Sequence, residues 1–289
     1  QEEIALKLSF SIQNWNNISW NEFCDIAIDT HMQGVELYDI SSGIMQGKSS
    51  PSNPELSAAT RRYLTNRHLS ISCVDTAQDF MDDDFIRELA ESVVIAVNLG
   101  VDYVSVHTAC TDENACTARV RQLLTAVGSA PVTLLVETSG VYADTMKLRD
   151  LLNYFADDRL AALWNMHDTC VYGKEDAEKT ITNLGAYVRH VHLHDFRRLG
   201  EDAVPELVGE GEMPMQELMN ALRSVNYDGF ISLIWDPAWM EGLEDIEIIL
   251  THYASCMKRF EETRRHRRHL YWNRQHTGNY VWKKETLID

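Results

Sequence analysis

The sequence predicts an α/β protein, a closed (β/α)8 barrel with a C-terminal extension. Short β-branched and apolar runs recur at intervals of roughly 25 to 40 residues, and each is followed by a stretch whose apolar positions have helical spacing. No Pro-, Gly- or Ser-rich linker interrupts the series. Because eight such units fill about 260 residues, the pattern favours a closed barrel over an open doubly wound sheet.

The eight units can be placed along the chain in order. The predicted strands cover Leu6–Ile12, Gly34–Tyr38, Leu69–Asp75, Tyr103–Thr108, Val132–Thr138, Ala161–His167, Val188–Asp195 and Phe230–Asp236. The predicted helices cover Trp20–His31, Pro54–Asn66, Asp84–Leu99, Ala115–Val127, Thr145–Phe155, Lys174–Leu184, Met215–Val225 and Leu243–Glu262. A nucleotide-binding sheet would carry a Gly-rich turn after its first strand, but this chain has Gln13-Asn-Trp-Asn-Asn17 there.

Composition narrows the partners. The 289 residues carry a net charge of -18, which would repel a phosphate backbone, so we expect no nucleic-acid partner. The apolar run Ser92–Val97 is far too short to cross a bilayer, so we expect no membrane partner. The six cysteines contain no Cys-x-x-Cys pair, which favours reduced thiols in a cytoplasmic protein. A small polar ligand fits this composition better.

The chain divides into two predicted parts. Residues 1–262 should form the barrel, and residues 263–289 an extension or linker that leads to a further domain if the sequence belongs to a longer protein. The basic run Arg264–His269 is an exception in an acidic chain. It is either a solvated face or a docking surface, and in the second case the extension would make a homodimer or interdomain contact.

A histidine cluster marks the candidate site. In the segment His190-Val-His-Leu-His-Asp195, the two-residue period of a strand would point His190, His192 and His194 to one face. A single inward histidine is more often a packing residue. Three of them together favour a metal site or a proton relay, because imidazole is a common metal ligand and titrates near neutrality.

Other polar residues lie where a barrel carries its active site, at the C-terminal ends of the strands. They are Glu36, His107, Glu137, Asn165, His167, His192, His194 and Asp236. Each alone is explained equally well by a salt bridge or a strand-end hydrogen bond. A whole ring of them favours a functional site.

Aromatic and loop residues extend this candidate site. Trp15, Trp164, Trp235 and Trp239 fall near strand ends and could wall a sugar pocket, although barrel packing explains them as well. Glu210 lies between Gly209 and Gly211, whose lack of side chains would let the backbone approach a ligand. A plain turn is the alternative.

Six motifs in order carry a resemblance to a known family. They are Gly34-Val-Glu-Leu37, Leu135-Val-Glu-Thr138, Leu163-Trp-Asn-Met-His167, His190-Val-His-Leu-His-Asp195, Gly209-Glu-Gly211 and Tyr227-Asp-Gly-Phe-Ile-Ser-Leu233. In these the chain resembles the xylose isomerase-like TIM barrels, the group of sugar phosphate isomerases, epimerases and inosose dehydratases. The resemblance covers Leu6 to about Phe260.

This resemblance implies a divalent metal, Mn, Zn, Co or Mg, that polarises a sugar or cyclitol while carboxylates move a proton. Family members hold it with a glutamate from strand 5, an aspartate from strand 6, a histidine from strand 7 and a glutamate from strand 8. The first and third positions correspond to Glu137 and His192, which would be catalytic as well as metal-binding. The resemblance also makes His107 a substrate-side histidine, and we group Glu36, His167, His194, Glu210, Trp15 and Trp235 with it as substrate-binding candidates.

The other two ligand positions depart from the family pattern, because Asn165 and Ile234 stand where carboxylates are expected. Asp168 or His167 could compensate if strand 6 runs half a turn longer, and Asp236 could reach the metal from the barrel rim. A metal set of Glu137, His192, Asn165, Asp168 and Asp236 is adequate in ligand type. A barrel without metal is the alternative.

Two function classes follow. The first is an isomerase or epimerase of a small keto sugar, sugar phosphate or cyclitol, with Glu137 as base. The second is a non-catalytic barrel that binds a carbohydrate-like ligand or serves as a scaffolding domain in a larger protein, which Asn165 and Ile234 motivate. The segment Asp168-Thr-Cys-Val171 resembles part of an apurinic endonuclease pattern, but the acidic charge opposes DNA binding.

Overall fold

The computed structural model describes residues 6–46, 50–243 and 245–260. Eight parallel strands close into a barrel, which confirms the predicted fold class. The barrel strands are β1 (Lys7–Ser11), β2 (Gly34–Tyr38), β3 (Ser70–Asp75), β4 (Tyr103–Val106), β5 (Thr133–Glu137), β6 (Leu160–Asn165), β7 (Val188–Leu193) and β10 (Phe230–Leu233). Around the barrel they follow the order β1-β10-β7-β6-β5-β4-β3-β2. A separate hairpin consists of β8 (Asp195–Leu199) and β9 (Asp202–Glu206).

Helices pack around the barrel. They are α1 (Trp20–Asp29), α2 (Gly43–Gln46), α3 (Ser57–Asn66), α4 (Phe85–Leu99), α5 (Glu113–Val127), α6 (Thr145–Phe155), α7 (Met166–Val171), α8 (Ala177–Leu184), α9 (Met215–Ser224) and α10 (residues 246–260). Single 3₁₀ turns cover Pro54–Leu56, Gly140–Ala143 and Pro237–Trp239.

Local sequence sets the helix ends. Helix α1 begins at a capping box in which the Ser19 side chain accepts the Glu22 N–H and the Glu22 carboxylate accepts the Ser19 N–H. At α5 and α6, the side chains of Asp112 and Asp144 cap the helix by accepting N–H groups of the first turn. Helix α4 ends at Gly100, which adopts φ +71° at little cost because it lacks a Cβ.

The inside of the barrel holds a small apolar cluster and a larger group of polar side chains. Cys73, Leu135, Ala161 and Leu163, from β3, β5 and β6, form a small buried cluster separate from the main core, which lies between the strands and the helices. Polar side chains from β1, β2, β7 and β10 fill the part of the interior next to these four strands. They are Ser9, Glu36, His190, His192 and Ser232, all at most 3% exposed. A barrel interior that needed only packing would be apolar throughout.

Several predicted strands end earlier than expected, and β6, β7 and β10 end where a polar side chain begins the next element. The prediction for β6 was wrong beyond Asn165, because the Asn165 side chain accepts the Asp168 N–H and begins α7 there. Strand β7 ends at Leu193, and Asp195 instead begins the hairpin, which the sequence analysis did not predict. Strand β10 ends at Leu233, and Asp236 caps a 3₁₀ turn.

The proposed extension, residues 263–289, lies outside the described residues, so its predicted docking role stays a prediction. Among the described residues, no helix combines the length and apolarity needed to cross a bilayer.

Candidate metal centre

Three buried side chains meet inside the barrel. His190 Nε2 lies 2.6 Å from Glu36 Oε2, and His192 Nε2 lies 2.8 Å from Glu36 Oε1. The potential ligand atoms of the three residues all lie within 4.8 Å of one another. These residues form a group that could hold a metal ion.

The strand period explains how the group forms. His190 and His192 are two residues apart on β7 and therefore point to the same side, as predicted. Glu36 lies on β2, which is separated from β7 by β1 and β10, so its side chain reaches across the barrel interior. His194 follows the end of β7, stacks on His167 with ring centroids 4.1 Å apart, and lies outside the group of Glu36, His190 and His192.

Charges within this group balance. Burial alone would raise the pKa of Glu36, but the charges of His192 and His190 and hydrogen bonds from both hold the pKa below its usual range. Burial opposes protonation of His192, yet Glu36 and Glu137 outweigh it and raise the pKa of His192 well above its usual value. Burial lowers the pKa of His190, against the charge of Glu36. The group in this form is an imidazolium between carboxylates beside a neutral imidazole.

Glu137 adjoins this group at the end of β5. Its Oε1 lies 3.1 Å from His192 Nδ1 and accepts the Asn165 amide N–H at 2.9 Å. Burial raises the pKa of Glu137, but the hydrogen bond and charge of His192 exceed that effect and lower the pKa. The Glu137 side chain is 13% exposed, so of the two glutamates it is the one nearer to solvent.

The donor set fits a divalent metal. Two imidazoles and a carboxylate suit Mn, Fe, Co and Zn. A metal-bound histidine usually donates its other ring N–H to a carboxylate, and His192 Nδ1 already faces Glu137. His190 Nδ1 is buried and has no hydrogen-bond partner in the part of the chain that the structure describes. A metal at the Nε2 atoms would fix the tautomers of both rings.

The ligand set expected from the resemblance is only partly brought together. Glu137 and His192 are adjacent, and Asn165 joins them, but as a hydrogen-bond donor to Glu137 rather than with its carbonyl oxygen, which caps α7. Ile234 follows β10, where its N–H donates to the Leu193 carbonyl at 3.0 Å. The expectation of a departed metal site therefore needs correction, because Glu36 and His190 offer a different set of ligands.

The two compensating aspartates lie outside this group. Asp168 is on helix α7 rather than on a longer strand, and its Oδ1 lies 2.9 Å from His167 Nδ1. Burial raises the pKa of Asp168. Asp236 accepts the Asn14 amide N–H at 2.6 Å and the Ala238 N–H at 2.8 Å. These two contacts hold the Asp236 carboxylate at the turn after β10, outside the group of Glu36, His190 and His192.

Aromatic rings line one side of the mouth. The rings of His194 and Trp239 are 5.3 Å apart, and those of Trp235 and Trp239 are 5.7 Å apart. His194 Nδ1 and Trp235 Nε1 are buried without a hydrogen-bond partner among the described residues. Trp15 is 6% exposed and packs in the core, and Trp164 donates to Thr169.

The Gly-Glu-Gly loop folds onto a residue of the protein itself. The buried carboxylate of Asp195 accepts N–H groups from Phe196, Gly209, Gly211 and Met213. A Cβ at Gly211 would collide with Asp195 Oδ1, so the close approach of the loop backbone that glycine permits is explained by Asp195. Glu210 itself is exposed.

Sequence reasoning missed Asp75 at the end of β3. Asp75 is 8% exposed, and its Oδ1 accepts the Ser105 hydroxyl at 2.5 Å. Burial raises the pKa of Asp75 to about 7, and the neighbouring charges of Glu36 and Glu137 add to this while that of His192 opposes it. Its position as a carboxylate ending a barrel strand, like Glu137, was the signal available. His107, one residue beyond β4, also acts on this pKa and is half-buried.

A family model now agrees with this architecture. The family described as xylose isomerase-like TIM barrel matches residues 24–250. This is well over half of the chain, which therefore belongs to that family, as the six motifs indicated.

Solved structures show the same fold at low sequence identity. An L-ribulose 3-epimerase is 13% identical, with 93% of this chain and 99% of that chain covered and a TM-score of 0.72. The IOLI protein, solved with a zinc atom, is 12% identical, with 88% of this chain and 99% of that chain covered and a TM-score of 0.72. D-Psicose 3-epimerase from Clostridium cellulolyticum H10, solved with D-tagatose, is 10% identical, with 89% of this chain and 99% of that chain covered and a TM-score of 0.67. No curated protein sequence is significantly similar to this chain.

Proposed function

We propose that the protein is a metal-dependent isomerase or epimerase of a small keto sugar, sugar phosphate or cyclitol. The observation that carries this is the buried Glu36, His190 and His192 group next to Glu137. Isomerases of this kind need a cation that stabilises negative charge on an oxygen and a base that takes a proton from the adjacent carbon. The mouth of this barrel holds groups suited to both tasks.

Glu137 is the base in this proposal. It is the more exposed of the two glutamates, and the Asn165 amide and the His192 ring fix one of its oxygens. This orientation would leave the other oxygen for a proton on a substrate carbon. His192 holds Glu137 in place, and a bound divalent metal would supply a positive charge for the developing enediolate.

His194, Trp235 and Trp239 would form the substrate wall. Stacking of a sugar ring on Trp239, beside the rings of His194 and Trp235, suits a polyhydroxylated ligand. Other members of the fold are named for sugar epimerisation, and one was solved with D-tagatose. That record supports a carbohydrate-like substrate here.

Hydrogen exchange tests the proposal directly. The protein, supplied with Mn²⁺ or Zn²⁺, is incubated with aldoses, ketoses and inososes in D₂O, and loss of C–H signal is followed by NMR. We expect exchange next to the carbonyl of at least one sugar, reduced by about 10²-fold or more in Glu137→Gln. Glu178→Gln, the same change at an exposed position, is the matched control. Exchange that survives in Glu137→Gln would contradict the assignment of the base.

A binding barrel without turnover is the second candidate. Ile234 favours it, because a carboxylate is missing from the end of β10, and so does the Asn165 amide, which donates a hydrogen bond to Glu137 where the family pattern has a metal-binding carboxylate. In that case tagatose or an inosose would bind, as measured by calorimetry, with no exchange in D₂O.

A further inference from the structure

We propose that Cys110 and Cys116 form an oxidation site, in which a hydroperoxide converts the two thiols into a reversible disulfide. All six cysteines of the chain are free thiols in this structure. The pair lies outside the group of Glu36, His190 and His192, so the oxidation site goes beyond the proposed function and does not depend on it.

Local structure brings the two cysteines together. Cys110 belongs to the loop between β4 and α5, and Cys116 lies near the start of α5. The Asp112 N–H donates to the Cys110 sulfur at 3.4 Å, and the Asp112 carbonyl accepts the Cys116 N–H at 3.0 Å. Side chains of a helix lean towards its N-terminus, so Cys116 leans towards Cys110 and the two thiols hydrogen-bond to each other. The two sulfurs are therefore neighbours, as a disulfide requires.

Exposure gives the two sulfurs different roles. Cys110 is only half-buried, whereas Cys116 is fully buried, so a dissolved oxidant reaches Cys110 first. Burial raises the pKa of the Cys116 thiol to about 12, and the hydrogen bond to Cys110 adds to this effect. A buried, protonated thiol is inert towards dissolved oxidants. Cys116 would therefore react with the adjoining sulfur of Cys110 once that sulfur is oxidised.

The proposed steps balance. The Cys110 sulfur, as its thiolate, attacks one oxygen of hydrogen peroxide, the O–O bond breaks, and hydroxide leaves as the sulfenic acid forms. The Cys116 sulfur then attacks the Cys110 sulfur, the S–O bond breaks, and the hydroxyl group leaves as water with the S–H proton of Cys116. The first hydroxide takes up the proton that Cys110 released. Two thiols are thus oxidised to a disulfide while one peroxide is reduced to two waters.

The disulfide would lie against the turn that follows β5. The Cys110 carbonyl accepts the Val141 N–H at 2.9 Å. Gly140 has φ +54°, and a Cβ there would collide with the carbonyl oxygens of Thr108 and Cys110. Because the loop and the turn are in such close contact, a bond that ties Cys110 to α5 should change the hydrogen bond at Val141.

Peroxide treatment followed by alkylation tests the site. Reduced wild-type protein is treated with hydrogen peroxide, unfolded in an alkylating agent, digested and analysed by mass spectrometry. Two of the six thiols should escape alkylation, and dithiothreitol should restore both. The segment from Cys110 to Cys116 contains no Lys or Arg, so one tryptic peptide holds both residues and should be lighter by two hydrogen atoms.

Three variants separate the roles of the sulfurs. In Cys110→Ser, peroxide should leave Cys116 as a free thiol, because solvent does not reach it. In Cys116→Ser, Cys110 should pass on to the sulfinic acid, which dithiothreitol does not reduce. Cys170→Ser is the matched control, since Cys170 is also only half-buried, and it should form the same disulfide as the wild type.

Amide hydrogen exchange measures the coupling to the turn. The exchange rate of the Val141 N–H should differ between reduced and oxidised wild type, and peroxide should leave it unchanged in Cys110→Ser. Six free thiols after treatment, or a sulfinic acid at Cys110 of the wild type in place of the disulfide, would overturn the oxidation site. A disulfide that forms without any change at Val141 would overturn the coupling alone.

Discussion

Asn165 shows how one amide changes the end of a barrel strand. It donates to Glu137 at 2.9 Å and accepts the Asp168 N–H at 3.1 Å, so it both holds the glutamate by a hydrogen bond and begins α7. An aspartate could keep the cap but could not donate to Glu137, and two carboxylates would then face each other unless a cation lay between them. The amide therefore stabilises Glu137 in the absence of a metal at that position.

Restoring the two carboxylates tests this view. Asn165→Asp should lower the free energy of unfolding by about 1–3 kcal/mol without metal, because a buried acceptor loses its donor. The double variant Asn165→Asp with Ile234→Glu should gain thermal stability on addition of Mn²⁺, and by more than the wild type does. Melting curves with and without Mn²⁺ measure both effects. Equal stabilisation of the double variant and the wild type would contradict the correspondence with the family ligand positions.

Asp75 makes a prediction about stability. Because its folded-state pKa is about 7, above the usual value of 3.8, the folded state binds more protons between these values. The contribution of Asp75 is fully favourable below pH 3.8 and is lost as the pH rises through 7. At alkaline pH, the free energy of unfolding of Asp75→Asn, measured by urea denaturation, should therefore exceed that of the wild type by about 1 kcal/mol or more, since one pKa unit is worth about 1.4 kcal/mol. The difference should shrink in acid, and a difference independent of pH would refute it.

The hairpin and its loop show what single elements contribute. Strands β8 and β9 rise from the end of β7, and the Asp195 carboxylate ties the following loop down through four backbone N–H groups. Phe196, at the start of the hairpin, packs edge-on against His167, which stacks on His194. The loop is thus positioned by a carboxylate that belongs to the fold rather than to the site chemistry.

Asp195→Asn should loosen this loop. The amide replaces one acceptor oxygen by a donor, which leaves two buried N–H groups facing an NH₂ group. We expect a loss of about 1–3 kcal/mol in unfolding free energy and faster amide hydrogen exchange at Gly209, Gly211 and Met213, with the barrel strands still protected. Exchange at those three amides that is unchanged in the variant would show that other contacts hold the loop.

The elements were predictable to different degrees. Gly34–Tyr38 and Thr145–Phe155 have the predicted bounds, because apolar alternation and helical spacing are local signals. The ends of β6, β7 and β10 were not predicted correctly, because the side chains of Asn165, Asp195 and Asp236 bind backbone N–H groups there and redirect the chain. The apolar period continues past these points, and the hydrogen bonds that end the strands depend on the folded backbone.

The whole molecule brings together residues far apart in sequence. Glu36 meets His190 and His192 across 154 and 156 positions of the chain. Strand periodicity could predict that the two histidines share a face, and the barrel could predict that strand-end residues meet at one mouth. Which carboxylate would pair with which ring depended on how side chains fill the polar part of the interior, and the sequence gives no signal for that.

Metal stoichiometry is the most direct test of the candidate centre. Elemental analysis is made on protein purified without chelators or metal-affinity steps, beside Glu36→Gln and His192→Ala, with Glu178→Gln as the exposed control and circular dichroism as a check of folding. We expect one Mn, Fe, Co or Zn ion per chain in the wild type and the control, and its loss in both centre variants. No metal in the wild type, or metal retained when Glu36 and His192 are changed, would contradict it.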